Sequence, residues 1–514
     1  MIAVRPPSSA GLSPQRSRRA NRAVLLLAVL GGLLIALSVP PAGFWPLGLV
    51  GVGLLGGLLS GRPARSRALI GFLGGLGLYG VTIWWFTEFN FIGGLLSMMV
   101  EAAFLAGAAA LTPPGRGRRI GWVGALVLQD WLRTYIPFGG VPLGGIPLGQ
   151  AAGPLAPAAR LGGQLAVTAV VALLGVVLET AGRGALRGRH RVPWRQATFP
   201  VVAAAIALVL AVGGRLAPAG RPIGTVRIAA VQGGGRRGLR AIHNSALAVL
   251  RAQFSTSAGV RPPVDLILWP EDVIALDGPI RGTPVAAEVG QVAARDHAAL
   301  LAGVTEDVGT DHFRNAEVVW DGTGRITGRY DKVHRVPFGE YIPLRSLVKH
   351  VVSLDVIPRD AIPGTGSGEV STTAGPVGIV ISYEVFFPAR ARSAIRAGGQ
   401  VLLVPTNTSS YRTTQVPAAE IAAERLRAWE TGRAVVMAAP TGWSAVLDAR
   451  GRLLRRTELA VPAVLETTVE RRVGLTPYGH WGDLPVTLAA LALAVVAWAV
   501  ASRRVDRTVN SDKP

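Results

Sequence analysis

"VGIVISYEVF" at residues 377–386 runs apolar for five residues and then presents Ser382, Tyr383 and Glu384. A short β-branched run is what a strand buried on both faces looks like, and residues at the ends of such strands often face a cleft. On its own, a serine in such a place is more often an ordinary polar residue than a nucleophile. The stretch gains meaning only from its neighbours.

Similar runs recur between residues 225 and 475: "TVRIAAVQ", "VDLILWP", "ALLAGV", "NAEVVWD", "QVLLVPT", "AVVMAAP" and "WSAVLD". The pattern between them predicts helices at 237–256, 283–298, 388–397 and 415–432. Such alternation argues for a layered α/β domain, in which chemistry collects at strand ends.

The remainder of the 514-residue chain is of another kind. Half of all residues are hydrophobic, and they concentrate at 23–213 and again at 484–502, leaving 225–475 with the composition of a soluble domain. Apolar segments at 23–40, 45–60, 68–87, 92–111, 120–136, 161–180 and 197–213 each approach the ~20 residues that cross a bilayer, the second and fifth least clearly. The first has the basic flank of a signal peptide, but six more follow it, so it reads as a retained helix.

The net charge of +22 resides largely in the connections: Arg5, Arg16, Arg18, Arg19 and Arg22; Arg62, Arg65 and Arg67; Arg116, Arg118 and Arg119; Arg183, Arg187, Arg189, Arg191 and Arg195; Arg503, Arg504 and Arg507. Alternate loops rich in arginine are the positive-inside pattern, so no nucleic-acid partner is needed to account for the charge. The loop "TEFNF" at 87–91 has no basic residue, as an outer loop should.

The expected architecture is a polytopic α-helical membrane bundle of about eight transmembrane helices carrying an extracytoplasmic α/β domain. Its parts are a cytoplasmic basic N-terminus at 1–22, a membrane domain at 23–213, the outer domain at 225–475, a last crossing at 484–502 and a cytoplasmic tail at 503–514.

Two features of the membrane part invite over-reading. "GLGLYG" at 75–80 fits a dinucleotide fingerprint but follows no strand; with Gly53 and Gly57 it reads as close helix packing. Glu101 lies well inside an apolar segment and is read as a paired or water-accessible residue of the bundle, without an identifiable partner. The chain has no cysteine, which excludes disulfides and thiol chemistry, and its seven histidines form no ligand cluster. No metal and no cofactor are expected.

Three places in the outer domain carry chemistry: Glu271 in "LILWPED", Lys332 and Glu340 in "GRYDKVHRVPFGEYIPL", and Ser382 in "GIVISYE". Singly, each has a structural explanation as a helix cap, a solvated amine or a backbone-bonded hydroxyl. Together they supply a base, an oxyanion stabiliser and a nucleophile, the minimum for acyl transfer.

These strings resemble the nitrilase superfamily, whose Glu-Lys-Cys site sits in an α-β-β-α sandwich. With helices before and after, the chain resembles the apolipoprotein N-acyltransferase family. "RLRAWETGR" at 425–433 and "GLTPYGHWGD" at 474–483 add to the likeness. The resemblance implies Glu271 as base, Lys332 as stabilising lysine, Ser382 as nucleophile and Glu340 as the group that orients Lys332. Tyr383, Glu384 and Asn407 would support them. It further implies a phospholipid acyl donor and diacylglyceryl-modified apolipoproteins as acceptors.

The departures are Ser382 where the family has cysteine, "TSSYR" after Asn407, and "IPFGGVPLGG" at 136–145 in place of a Phe-Pro-Trp string. Serine is far less acidic than a thiol of pKa about 8.5, so it asks more of its base; desolvating Glu271 would answer that demand. Other readings are a membrane-tethered amidase, and a silent homologue acting as a scaffold for lipoproteins or a polyprenol-dependent glycosyltransferase partner.

Overall fold

The computed structural model describes residues 14–186, 194–237, 245–348, 358–411 and 414–502. Arg5, Arg187, Arg189, Arg191, Arg412, Arg503, Arg504 and Arg507 lie outside these residues, as do 238–244, the early part of the helix expected at 237–256.

Each expected apolar segment forms a helix: α1 (Pro14–Ser38), α2 (Trp45–Leu58), α3 (Ala64–Thr82), α4 (Phe91–Leu111), α5 (Arg118–Arg133), α6 (Ala159–Leu186) and α7 (Trp194–Leu216). Among the described residues, five helices are long and apolar enough to cross a membrane: α1, α4, α6, α7 and the C-terminal Leu484–Ser502. The helix at Trp45–Leu58 is apolar but shorter.

Leu26, Val209 and Val495 are 71%, 67% and 69% exposed, an outward apolar surface of the kind hydrocarbon solvates. Glycine permits the close approach inside. A Cβ on Gly53 would stand 2.5 Å from the Gly175 carbonyl oxygen, and one on Gly75 2.5 Å from the Ala102 Cα, so "GLGLYG" is packing surface.

Among the described residues, arginines of three of these connections gather at one end of the bundle. Glu179 takes ion pairs from Arg118 at 2.6 Å, Arg183 at 2.7 Å and Arg119 at 3.4 Å, while Arg67 donates to the Ala110 carbonyl at 2.8 Å. The 225–475 domain meets the other end: Gln415 donates to the Val81 carbonyl, near the close of α3.

That domain contains two sheets. The first runs β14 (Ala463–Val473), β1 (Arg221–Gln232), β2 (Leu266–Leu268), β4 (Ala299–Val308), β5 (His312–Trp320), β6 (Ile326–Asp331), with β3 (Ile274–Leu276) on β4 and β7 (Asp360–Ala361) on β5. The second runs β13 (Leu453–Arg456), β12 (Ala445–Leu447), β11 (Val435–Ala438), β10 (Leu402–Pro405), β9 (Gly375–Ile379), β8 (Glu369–Thr372). All eight sequence-predicted strands are present.

Period-two alternation builds the layers. Leu266, Leu268, Leu403 and Val436 fill the space between the sheets. Ile267 turns the other way, under α8 (Ala246–Ser257) and α9 (Pro284–Asp296), where Leu250 and Val289 pack. Leu402, Val404 and Met437 turn toward α11 (Pro388–Arg396) and α12 (Gln415–Thr431), in an apolar cluster that continues into the membrane helices through Val167 and Leu49. The result is an α-β-β-α sandwich whose α11–α12 layer rests on the bundle. Three helices complete the fold: α10 (Arg345–Val348), α13 (Pro477–Trp481) and α14 (Leu484–Ser502).

Candidate active site

Glu271 follows β2, whose parallel pairing with β4 continues when Trp269 N–H donates to the Leu301 carbonyl at 2.8 Å and Gly303 N–H to the Pro270 carbonyl at 3.2 Å. A Cβ on Gly303 would lie 2.4 Å from the Pro270 oxygen and 2.5 Å from the Glu271 Cα, so only glycine lets the turn settle there. The chain leaves through Asp272 at φ +58°. The Glu271 carboxylate is thereby fixed in the domain interior, 3% exposed.

Lys332 follows β6. Its backbone N–H donates to the Asn315 carbonyl on β5 at 2.9 Å, and its Nζ, buried, bonds Glu271 Oε1 and Glu340 Oε1 at 2.7 Å each. Asn315 Nδ2 donates to the same two oxygens at 2.8 and 3.1 Å. Glu340 Oε2 accepts from Val336 N–H at 2.8 Å, closing the loop around the lysine.

Burial pushes the Glu271 carboxyl up to about 7 against the pull of Lys332, with Asp272 and Glu340 adding to the rise. Burial would lower the Lys332 ammonium, but the carboxylates of Glu271 and Glu340 outweigh it and hold the ammonium well above its ordinary value. The pair therefore combines a secure cation with an acid poised to exchange a proton near neutrality.

Ser382 lies at the end of the β9 extension, where Val380 N–H still donates to the Leu403 carbonyl at 3.0 Å. Ser382 itself adopts φ +50° and opens the 3-10 turn Ser382–Phe386. A non-glycine residue in that region is uncommon and persists where its surroundings over-determine it. Here the determinant is Glu384, fully buried. Its carboxylate accepts from Ile381 N–H at 2.9 Å, from Val333 and His334 N–H at 2.8 and 3.0 Å, and from the Tyr330 hydroxyl at 2.9 Å. One side chain thus ties the residue before the serine to the two residues after the lysine, across the two sheets.

The Tyr383 hydroxyl donates to the Gly140 carbonyl at 2.9 Å, in the loop after α5. Asn407, past β10, accepts from Ser409 N–H at 3.1 Å and from the Ser409 hydroxyl at 2.7 Å. Every expected site residue therefore has a defined place; Glu271, Lys332 and Glu340 form one bonded cluster, and Glu384 links the lysine loop to the serine turn.

Sequence reasoning missed several members. Asn315 and Glu317 stood unremarked inside "NAEVVWD", although polar residues in step on a buried strand are a signal of something beyond packing. Neither carboxyl oxygen of Glu317 has a hydrogen-bond partner among the described residues. Burial drives this acid well above its ordinary value, and Glu271 and Asp272 add to the shift. Tyr411, in the divergent "TSSYR", sets its ring edge-on to Trp85 and Phe89 at 4.9 and 5.4 Å, among the charges of Glu420, Glu271, Lys332 and Glu340.

Residues 227–478 match the carbon-nitrogen hydrolase family, and residues 31–177 match the apolipoprotein N-acyltransferase N-terminal domain. The apolipoprotein N-acyltransferase of Mycolicibacterium smegmatis is 33% identical over 92% of this chain and 84% of its own. That of Azotobacter vinelandii is 30% identical over 94% and 96%, and that of Geobacter metallireducens 27% over 93% and 95%. The likeness spans both the bundle and the sandwich, and the chain belongs to the apolipoprotein N-acyltransferase family.

Proposed function

We propose that this enzyme moves an acyl chain from a phospholipid to the α-amino group of the diacylglyceryl-cysteine of apolipoproteins, through an acyl ester on Ser382. Glu271 takes the Ser382 proton as the oxygen attacks the lipid ester carbonyl. Lys332 and the backbone N–H of the turn at Tyr383 stabilise the oxyanion. Collapse breaks the ester bond, and Glu271 returns the proton to the departing lysophospholipid oxygen. The cysteine amine then attacks the acyl-serine, Glu271 receives the amine proton, and its transfer to the serine oxygen releases the N-acyl product.

The observation that carries this reading is the Glu271–Lys332 contact at 2.7 Å, with the carboxyl lifted to about 7 and the lysine loop joined through Glu384 to a left-handed serine turn. A serine nucleophile needs a base of raised proton affinity, and this site supplies one.

The membrane part fits the same chemistry. We read eight crossings, both termini in the cytoplasm, and the sandwich outside. Supporting this are the arginine cluster around Glu179 at one bundle end and the sandwich at the other. Both substrates are then embedded lipids presented beside the site, which favours aminolysis over loss to water.

Intact-mass measurement after exposure to phospholipid micelles tests the scheme. An acyl adduct on Ser382 that passes to an added diacylglyceryl lipopeptide is expected. Release of free fatty acid with no N-acylated peptide would make it a hydrolase. Normal triacylation in cells whose only copy carries Ser382→Ala would make it a scaffold, for a polyprenol-dependent glycosyltransferase or otherwise.

A further inference from the structure

The serine turn is held from the sandwich by Glu384, and it is also held from the bundle. Arg133, at the end of α5 and buried, is ion-paired with Glu101 of α4, the intramembrane acid whose partner the sequence did not reveal. Arg133 Nη2 donates to the Leu143 and Val141 carbonyls at 2.7 and 3.2 Å, and Val141 N–H returns a bond to the Arg133 carbonyl at 3.0 Å. This fixes the loop whose Gly140 carbonyl accepts the Tyr383 hydroxyl, one residue past Ser382.

A second route starts from the same arginine. Arg133 Nη1 lies 3.5 Å from Asp130 Oδ1, and Asp130 Oδ2 accepts from the Thr168 hydroxyl on α6 at 2.5 Å. One turn earlier on α6, Gln164 Oε1 accepts from Arg427 Nη2 at 3.3 Å, and Gln164 N–H donates to Glu430 at 2.9 Å. Arg427, buried on α12 and paired with Glu430 at 2.6 Å, donates through Nη1 to the Val385 carbonyl at 2.9 Å, three residues past Ser382. The two routes close on the same turn, at Tyr383 and at Val385.

A buried ionic network is weak evidence for stability, because desolvation cancels most of its attraction; its better-attested use is to specify one arrangement. Resting on the acyl-serine reading above, we propose that Arg133 and Arg427 are positioning residues for the nucleophilic turn, so that Ser382 takes its reactive pose only on a correctly packed membrane bundle. Residues that hold a nucleophile alter the rate at saturation rather than the affinity for lipid, and a displacement of ~1 Å costs on the order of 100-fold.

The test is single-turnover acylation of the full chain in phospholipid micelles, followed by intact mass, with thermal unfolding measured alongside. Arg427→Lys and Arg133→Lys are expected to lower the saturating rate by about 100-fold with the half-saturating lipid concentration unchanged. Thr168→Val breaks only the middle of the second route; a loss of about tenfold is expected at unchanged melting temperature, with Thr168→Ser restoring the rate. Unchanged saturating rates in folded Arg427→Lys and Thr168→Val proteins, with Ser382→Ala inactive, would overturn the positioning role and leave the acyl-serine reading intact. An adduct that still forms in Ser382→Ala would overturn the acyl-serine reading instead.

Discussion

In the proposed reaction Glu271 accepts a proton from an alcohol near neutral pH, and its surroundings suit that role by burying it while keeping the Lys332 ammonium at 2.7 Å. With the carboxyl near 7, the base fraction falls about tenfold for each pH unit below that value. The acylation rate of the wild-type chain should therefore climb between pH 5 and 7 and level off above; Glu271→Gln should lose on the order of 1000-fold at every pH, read by adduct formation. Glu317 gives a prediction about stability. Its folded-state value lies well above the ordinary 4.5, so burying it costs least below about pH 4.5 and costs progressively more as pH rises toward the folded value. Replacing it with leucine removes two unpartnered buried oxygens and should stabilise the fold by about 1–3 kcal/mol. The gain in melting temperature should be larger at pH 8 than at pH 5.

Among the elements, β4 shows how a strand can belong to a site without contributing a reactive group. Gly303→Ala would place a methyl 2.4 Å from the Pro270 carbonyl oxygen, forcing the turn that bears Glu271 away from β4. The folded variant should acylate at least 100-fold more slowly than wild type while binding lipid normally, as measured by saturating and half-saturating parameters. This strand also marks the limit of legibility. "ALLAGV" announced itself by apolar content, but the role of its glycine depends on a turn more than thirty positions earlier. Likewise "LILWPED" and "VISYEVFF" revealed their strands and the polar residues at their ends, because burial on two faces and polar punctuation are local signals. Strands β3, β6, β7, β8, β13 and β14 carried no such apolar run and were not anticipated. Asn315 was invisible as a site residue because its two acceptors, Glu271 and Glu340, lie 44 and 25 positions away.

At the scale of the whole molecule, the positive-inside pattern was legible because charge is read along the chain, whereas the partner of Glu101 was not, because it depends on how α4 and α5 meet. The bundle and sandwich share one apolar cluster, so the sandwich has a fixed bearing on the membrane axis. Along α3, Arg65 and Val81 are 16 positions apart, about 24 Å at ~1.5 Å per residue, with basic connections at the first end and Gln415 of the sandwich at the second. If the basic end lies in the cytoplasm, the sandwich lies outside. The absence of cysteine makes this directly measurable, since any introduced thiol is the only one. Arg65→Cys and Ser371→Cys put single thiols at exposed positions, in the first turn of α3 and on β8 respectively. In intact cells, a membrane-impermeant maleimide should label the Ser371 variant and spare the Arg65 variant until the membrane is opened. The reverse pattern would place the site in the cytoplasm, away from the outer leaflet where the proposed reaction draws both of its lipid substrates.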